Sequence, residues 1–272
     1  MECNLSLTRR NILAGFLAGG GLPLRAEFPD IRTVPPDLTT PAMTVGRPGP
    51  GRRVRMTLPE YEGTAIHHAL YLPNNWSPGR QYPVIVEYAG NGNYRNQYGD
   101  ISLGTVEGSN LGYGISAGRD FIWVCLPYVD PVRGENAIQW WGDAEATVAY
   151  AKKAVASICR EFAGDPRSVF LAGFSRGAIA CNYIGLRDNE IAALWLGFIA
   201  YSHYDGVRSW PYADSGRAPA LERPNRLRGR AQFIVHENSV DSTREYLRST
   251  GVEAPFTFLT LPFRNHNDEW VL

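Results

Sequence analysis

The sequence is short of several features that mark whole classes of protein. Lysine occurs only at Lys152 and Lys153, and the 27 basic residues, otherwise arginines, are balanced by 27 acidic ones. A net charge of zero argues against a nucleic-acid-binding protein, whose binding surface needs an excess of positive charge. The longest apolar runs are too short for a membrane-spanning helix, so we expect no integral membrane segment.

Cysteine is scarce as well. The chain contains Cys3, Cys125, Cys159 and Cys181, and no two of them have a metal-ligand spacing such as Cys-x-x-Cys, so a zinc site has little support. The apolar sequence around the last three favours buried, unreactive thiols. What the sequence does have is 44% hydrophobic residues over 272 positions, which is enough for a sizeable core and excludes a disordered chain.

Residues 1–26 have the pattern of an export signal. Arg9 and Arg10 precede an apolar stretch of about 11 residues that is rich in Gly and Ala, and Ala26 offers a small residue for cleavage. The paired arginines resemble the twin-arginine export signal, and an ordinary signal with two arginines is the alternative. We therefore expect the mature protein to be exported to the periplasm or the extracellular space.

The remaining chain divides into two parts. Residues 27–50 are rich in proline and predict an extended linker or an arm that lies on the surface. Residues 51–272 contain no repeat and predict one domain. The segments 53–58 and 65–72 predict an antiparallel hairpin.

Short apolar segments of the buried, parallel kind follow the hairpin and alternate with helical segments. The predicted strands are 83–88, 121–127, 168–172, 194–200, 231–236 and 256–261. Asp143 is a plausible N-cap for a long helix, and further helices are predicted over 176–186 and 241–249. Strands separated by helices indicate an α/β fold with a doubly wound, mostly parallel sheet.

The pattern Gly-x-Ser-x-Gly occurs twice, around Ser116 and around Ser175. In a nucleophile elbow this pattern follows a strand and precedes a helix, so that the turn lifts the serine hydroxyl above the sheet. Gly173-Phe174-Ser175-Arg176-Gly177 has that context. Ser116 instead lies in a glycine-rich segment that leads into a strand, which predicts a turn or helix-end residue.

With this strand–elbow–helix unit, residues 53–272 resemble the α/β-hydrolase family. They are most similar to its secreted esterases and polyester-depolymerase-like enzymes, which share the segments Leu72-Pro73-Asn74-Asn75-Trp76 and Asp165-Pro166-Arg167. The resemblance implies a nucleophile, an acid and a histidine in that chain order. It makes Ser175 the nucleophile and His266, in a loop after the last predicted strand, the base.

The acid of the implied triad is open between two residues. Many relatives have His-Gly-x-x-Asp after the strand that ends at His236, whereas this chain has His236-Glu237-Asn238-Ser239-Val240-Asp241. Asp241 is our first choice and Glu237 the alternative. Asp241 could instead simply cap the helix that follows it.

The same resemblance implies an oxyanion hole of two backbone N–H groups. One is expected from Arg176, directly after the nucleophile, and the other from Gly90 or Asn91 in the loop after the first buried strand. Aromatic and polar residues in two loops on the same side of the sheet, either packing residues or the lining of a pocket for sugars or aromatic acyl groups, are Trp140, Trp141, His203 and Tyr204.

These residues together predict a serine hydrolase that cleaves carboxylic esters without a metal or other cofactor. The expected substrate is a small-molecule, polysaccharide or polyester ester. A peptidase of the same fold and a non-catalytic hydrolase-like binding protein are the alternatives.

Overall fold

The structure is a computed structural model that describes residues 28–272. The export signal predicted for residues 1–26 lies outside the described residues. The strands are β1 (Arg53–Met56), β2 (His68–Tyr71), β3 (Tyr82–Tyr88), β4 (Tyr94–Arg95), β5 (Ile101–Ser102), β6 (Ile122–Leu126), β7 (Val129–Asp130), β8 (Glu135–Asn136), β9 (Gly164–Phe174), β10 (Gly197–Tyr201), β11 (Ala231–His236) and β12 (Phe256–Thr260). The α-helices are α1 (Leu111–Ser116), α2 (Ala144–Phe162), α3 (Arg176–Tyr183), α4 (Asn189–Ala192), α5 (Arg217–Glu222) and α6 (Asp241–Thr250).

Eight of these strands form one central sheet in the order β1-β2-β6-β3-β9-β10-β11-β12. β2 pairs antiparallel with β1 and with β6, and the strands from β6 to β12 pair in parallel. Parallel neighbours need crossover connections, which α2 and α3 supply on either side of β9. The predicted mostly parallel sheet with an N-terminal antiparallel hairpin is confirmed.

The long helix α2 begins where its sequence predicted. The side chain of Asp143 accepts a hydrogen bond from the Ala146 N–H at 2.8 Å, which satisfies one of the free donors of the first turn. Val148 and Val155 are buried on the face that packs against the sheet. β9 is longer than the predicted 168–172, because the chain turns directly from α2 into it, with a register shift against β3 near its start.

Both faces of the sheet are covered, as a doubly wound sheet requires. Val84 and Val86 of β3 belong to the large core that includes α2 and α3, whereas Ile85 between them points to the opposite face and packs near Tyr113 of α1. On that second face the N–H group of Leu38 donates to the carbonyl oxygen of Leu272 at 3.0 Å.

The proline-rich segment lies against the domain rather than apart from it. Ile31 and Val34 are buried with Phe263, and Thr44 forms an isolated bridge with Val54 of β1.

The described residues include no helix with the length and apolarity that crossing a membrane demands. Cys125, Cys159 and Cys181 form no disulfide, and burial raises the pKa of all three thiols, as expected for unreactive cysteines.

Candidate active site

Ser175 lies at the turn between β9 and α3. Its φ of 56° and ψ of −113° are angles that a non-glycine residue adopts only when its surroundings enforce them. Two glycines allow the turn to close. A Cβ atom on Gly173 would lie 2.1 Å from the carbonyl oxygen of Gly177, and one on Gly177 would lie 1.9 Å from the carbonyl oxygen of Tyr88. The elbow therefore forms only with glycine at both positions.

The other copy of the motif has a different local structure. Ser116 is the last residue of α1, and its hydroxyl donates to the carbonyl oxygen of Gly112 at 2.8 Å. Ala117 follows in the left-handed region, with a φ of 52°. Ser116 is the helix-end residue that its sequence context predicted.

His266 faces the Ser175 hydroxyl. Its Nε2 atom lies 3.0 Å from Ser175 Oγ, which is hydrogen-bonding distance for a base that is to take the hydroxyl proton. The imidazole packs against the rings of Phe174 and Tyr94, with centroids 4.8 and 4.9 Å away. The ring is therefore fixed by packing as well as by its polar contacts.

Asp100 holds the loop that carries His266. Its carboxylate accepts from the backbone N–H of His266 at 2.9 Å and from the side-chain amides of Asn265 and Asn267 at 2.9 and 2.8 Å. Asp100 is 3% exposed, so these bonds form away from water and constrain the loop strongly.

Glu237 is the acid beside His266. Its Oε1 atom lies 2.6 Å from His266 Nδ1, and Ser202 Oγ lies 3.0 Å from the same carboxylate oxygen and 2.9 Å from Nδ1. Burial alone would raise the pKa of Glu237, but the hydrogen bond and the charge of His266 outweigh burial and lower that pKa to about 2. Glu237 is therefore an anion at every pH at which the protein would work.

Asp241, the first choice from the sequence, is corrected by this geometry. It lies in the first turn of α6 with a side chain that is 79% exposed, and its carboxylate accepts from Ser239 and pairs with Arg244. An acidic residue in the first turn stabilises the helix dipole. Glu237 instead follows β11 directly and lies at the carboxyl edge of the sheet.

The loop expected to complete the oxyanion hole lies beside α3. The carbonyl oxygen of Gly90 accepts from the Arg176 side chain at 2.9 Å, and Asn91 Oδ1 accepts from the Trp140 N–H at 2.8 Å. Within residues 28–272 the backbone N–H groups of Asn91 and Arg176 donate to no acceptor. A side chain at Gly90 would be crowded, because a Cβ atom there would lie 3.0 Å from the Phe174 ring.

The four expected pocket residues separate into two pairs. Trp141 and Tyr204 are core residues, since both are nearly fully buried and Tyr204 bonds to Gln232 through its hydroxyl. Trp140 and His203 are partly exposed, and Trp210 packs against both, with ring centroids 5.6 and 5.2 Å away. Of the four, only Trp140 and His203 are thus more than marginally exposed, and only His203 lines the cleft beside His266.

A cleft of about 550 Å³ opens beside His266. His203 and His236 line it, and their rings lie 6.2 Å apart. Burial and the neighbouring charge of His266 lower the pKa of His203 to about 3, and burial also lowers the pKa of His236. Both neighbours of the base are therefore neutral imidazoles at neutral pH.

The sequence alone did not identify two residues of this site. Ser202 directly follows β10 at the carboxyl edge, which is a signal that could have marked it, but its φ of 88° could not be read from the sequence. Asp100 lies in the loop between β4 and β5, far from His266 in sequence. Its role depends on how that loop folds back.

The architecture is that of known hydrolases, although the sequence is not. No protein-family model and no curated protein matches the chain. Solved structures do match: a thermostable esterase with a TM-score of 0.50 and 14% identity over 80% of this chain and 58% of that one, and a sugar hydrolase from Lactococcus lactis with a TM-score of 0.53 and 15% identity over 81% of this chain and 91% of that one.

A putative dipeptidyl aminopeptidase IV from Bacteroides ovatus has a TM-score of 0.53 and 15% identity over 81% of this chain and 34% of that one. This chain thus spans little more than half of the esterase and about a third of the peptidase. Identities this low compare folds alone. The chain has the α/β-hydrolase fold, as its sequence predicted.

The low pKa of Glu237 predicts a pH-dependent stability. A carboxyl group whose pKa falls from 4.5 to about 2 on folding stabilises the native state above pH 4.5, and this contribution disappears as the pH falls towards 2. We expect wild type to have a higher free energy of unfolding than Glu237→Gln. This difference between the two proteins should be larger at about pH 7 than at about pH 3, by on the order of 2 kcal/mol. Urea unfolding at both pH values measures this difference.

Asp241→Asn is the matched control, because it neutralises an exposed carboxylate four residues away. It should follow wild type at both pH values. A gap between wild type and Glu237→Gln that is equal at the two pH values would contradict the ionic contact with His266.

Proposed function

We propose that this protein is a serine hydrolase that cleaves carboxylic esters through an acyl-enzyme. The observation that carries the proposal is the chain of hydrogen bonds from Glu237 through His266 to Ser175, with distances of 2.6 and 3.0 Å, built on the turn between β9 and α3. Acyl transfer needs a nucleophile, a base that takes its proton and an acid that orients the base, and these three residues are of the required types. One of the solved structures with this fold is named an esterase, which supports an ester as the substrate.

In the first half of the reaction Ser175 Oγ attacks the ester carbonyl carbon while its proton passes to His266 Nε2. The carbonyl oxygen becomes an anion, which the N–H groups of Arg176 and Asn91 would bind. The intermediate then releases the alcohol, which takes its proton from His266. Glu237 stabilises the imidazolium that exists between these two transfers.

In the second half water takes the place of the alcohol. His266 removes a proton from the water, whose oxygen attacks the acyl carbon, and the second tetrahedral intermediate releases Ser175 with the proton returned to its oxygen. The acid leaves and the free enzyme is restored. The ester and one water molecule are the reactants, and the alcohol and the acid are the products, so these steps balance.

The cleft beside His266 suggests the kind of ester. It combines aromatic rings, such as Tyr94, with polar side chains, such as Asn96 and Arg208. Sugars stack on aromatic rings and bond to polar groups, so an ester on a sugar or a polysaccharide fits this lining better than a purely aliphatic polyester. Initial rates on acetylated xylan, a feruloyl sugar and polyhydroxybutyrate would test this ranking, and a preference for polyhydroxybutyrate would contradict it.

Ser175→Ala is expected to lower p-nitrophenyl acetate turnover by at least about 10³-fold, because no other hydroxyl faces His266 Nε2 in the described chain. Ser116→Ala is the matched control: it removes the serine of the other Gly-x-Ser-x-Gly pattern and should keep activity within about twofold. A fluorophosphonate probe should label wild type and Ser116→Ala on Ser175.

Two results would replace the proposal. Faster hydrolysis of peptide p-nitroanilides than of any ester would make the protein a peptidase of this fold. Folded protein that neither turns over esters nor reacts with the probe would make it a binding protein. Undiminished activity of Ser175→Ala would reject Ser175 as the nucleophile.

The two candidate acids can be separated by activity. Glu237→Gln should lower kcat by about 10³–10⁴-fold, because a neutral amide neither holds the required imidazole tautomer nor stabilises the imidazolium. Asp241→Asn should change kcat by less than about twofold. Steady-state kinetics with p-nitrophenyl acetate at neutral pH measures both, and the reverse pattern would return the role of the acid to Asp241.

We also propose that the enzyme acts outside the cytoplasm after removal of residues 1–26. The support is the sequence pattern of Arg9, Arg10 and the apolar stretch behind them. Full-length protein produced in a bacterium with a twin-arginine pathway should yield an exported form whose N-terminus is near Glu27. Replacement of both arginines by lysine should keep the precursor in the cytoplasm, and export of that variant at the wild-type level would point to the ordinary signal.

A further inference from the structure

We propose that the guanidinium of Arg176 is a positioning group that sets the direction of the Asn91 N–H and thereby aligns the oxyanion hole. This inference rests on the proposed function and assigns a second task to Arg176. Its backbone N–H would bind the oxyanion, while its side chain would hold the loop that supplies the other donor.

The Arg176 side chain is surrounded by backbone carbonyl oxygens. The residue is 1% exposed. Nη2 lies 2.9 Å from the Gly90 carbonyl oxygen and 3.3 Å from that of Gly104, and Nη1 lies 2.6 Å from that of Trp140 and 3.4 Å from that of Ala137. These carbonyls come from three separate loops, so one side chain ties all three to the start of α3.

No carboxylate of the described chain pairs with this cation. The guanidinium instead lies over the Tyr128 ring, 3.9 Å from its centroid, where cation–π attraction stabilises it. Burial lowers the pKa of Arg176 to about 10, so the group stays charged at neutral pH. A buried charge without a carboxylate partner is costly, and its position directly after the proposed nucleophile points to a role beyond packing.

The planarity of the peptide bond links this contact to the site. All peptide bonds of the described chain are trans, so the carbonyl of Gly90 and the N–H of Asn91 point in opposite directions across one plane. Because Arg176 binds the Gly90 oxygen, the Asn91 N–H is directed away from the guanidinium. Rotation of this peptide would change the direction of the Asn91 N–H.

Neighbouring bonds hold the residues on either side of this peptide. The hydroxyl of Tyr128 donates to the Ala89 carbonyl oxygen at 3.0 Å, one residue before Gly90. The side chain of Asn91 accepts from the N–H of Trp140, whose own carbonyl oxygen binds Arg176. Arg176, Tyr128 and Trp140 thus form a closed set of contacts around the loop, which we call the arginine clamp.

The chain offers a matched control in Arg53. It is 3% exposed, its guanidinium donates to the carbonyl oxygens of Val106 and Glu107 at 2.7 and 3.0 Å, and it lies over the Trp123 ring at 4.4 Å. Arg53 therefore makes the same kinds of contact as Arg176 in another part of the domain. Loss of either guanidinium should lower stability, but only Arg176 should affect the oxyanion hole.

The test compares Arg176→Met with Arg53→Met. For p-nitrophenyl acetate we expect Arg176→Met to lower kcat by about 10- to 100-fold with KM within about threefold, because a misdirected donor weakens transition-state binding and spares ground-state binding. Arg53→Met should keep both constants within about twofold. Arg176→Lys keeps the charge without the planar fork and should recover only part of kcat, and it replaces Arg176→Met if the latter does not fold.

Hydrogen exchange gives a readout that does not depend on activity. Arg176→Met should speed the exchange of the Gly92 and Trp140 amides, which donate to Ile138 and Asn91, by at least about tenfold. Arg53→Met should leave them unchanged. Unchanged exchange there, or a folded Arg176 variant with wild-type kcat, would overturn the clamp. An inactive wild type would reject the proposed function, and exchange would still decide the clamp.

Discussion

The site depends on one close contact between backbones, that of Gly177 in α3 with the carbonyl of Tyr88 at the end of β3. This contact lets α3 start directly behind the strand that leads into it, which forces Ser175 into its left-handed φ of 56°. A strained residue of this kind costs about 1–3 kcal/mol and persists only where surrounding packing enforces it. Here the buried strands β3 and β9 on either side of the turn supply that packing.

The same sheet brings the other members of the site together. Ser175, Ser202 and Glu237 follow β9, β10 and β11, which are adjacent parallel strands, so their carboxyl ends meet along one edge. His266 follows the strand after these, on a loop that Asp100 fixes. Ser175 and His266, which are 91 positions apart in the sequence, thus come within hydrogen-bonding distance.

The sequence predicts those features of the fold and the site that depend on residues near one another in the chain. Residues 231–236 were predicted as a strand with the observed bounds, and the surrounding strand and helix distinguished Ser175 from Ser116, because periodicity and turn geometry are encoded in neighbouring residues. The choice between the two candidate acids depends on tertiary structure, namely on which carboxylate the turn after β11 places beside the imidazole. A one-residue difference from the pattern of relatives was not enough to make this choice.

The loops were the other limit. The contacts of Asp100 and of the Arg176 side chain join segments that are far apart in the chain. The hydrogen bonds of Arg176 go to backbone carbonyl oxygens, which every residue has, so no acidic partner in the sequence indicates them. The predicted pocket residues show that loop position alone does not predict exposure either. Trp141 and Tyr204 lie in loops on the expected side of the sheet, yet packing buries them.

The neutral imidazoles of His203 and His236 have a consequence for turnover. When His266 accepts a proton, the new positive charge meets no second cation among these rings, and the anion of Glu237 lies 2.6 Å from it. Three clustered histidines that all titrated near neutrality would compete for that proton and repel one another. In the proposed reaction the cluster therefore contains one proton carrier, His266, and two neutral neighbours that add no positive charge beside it.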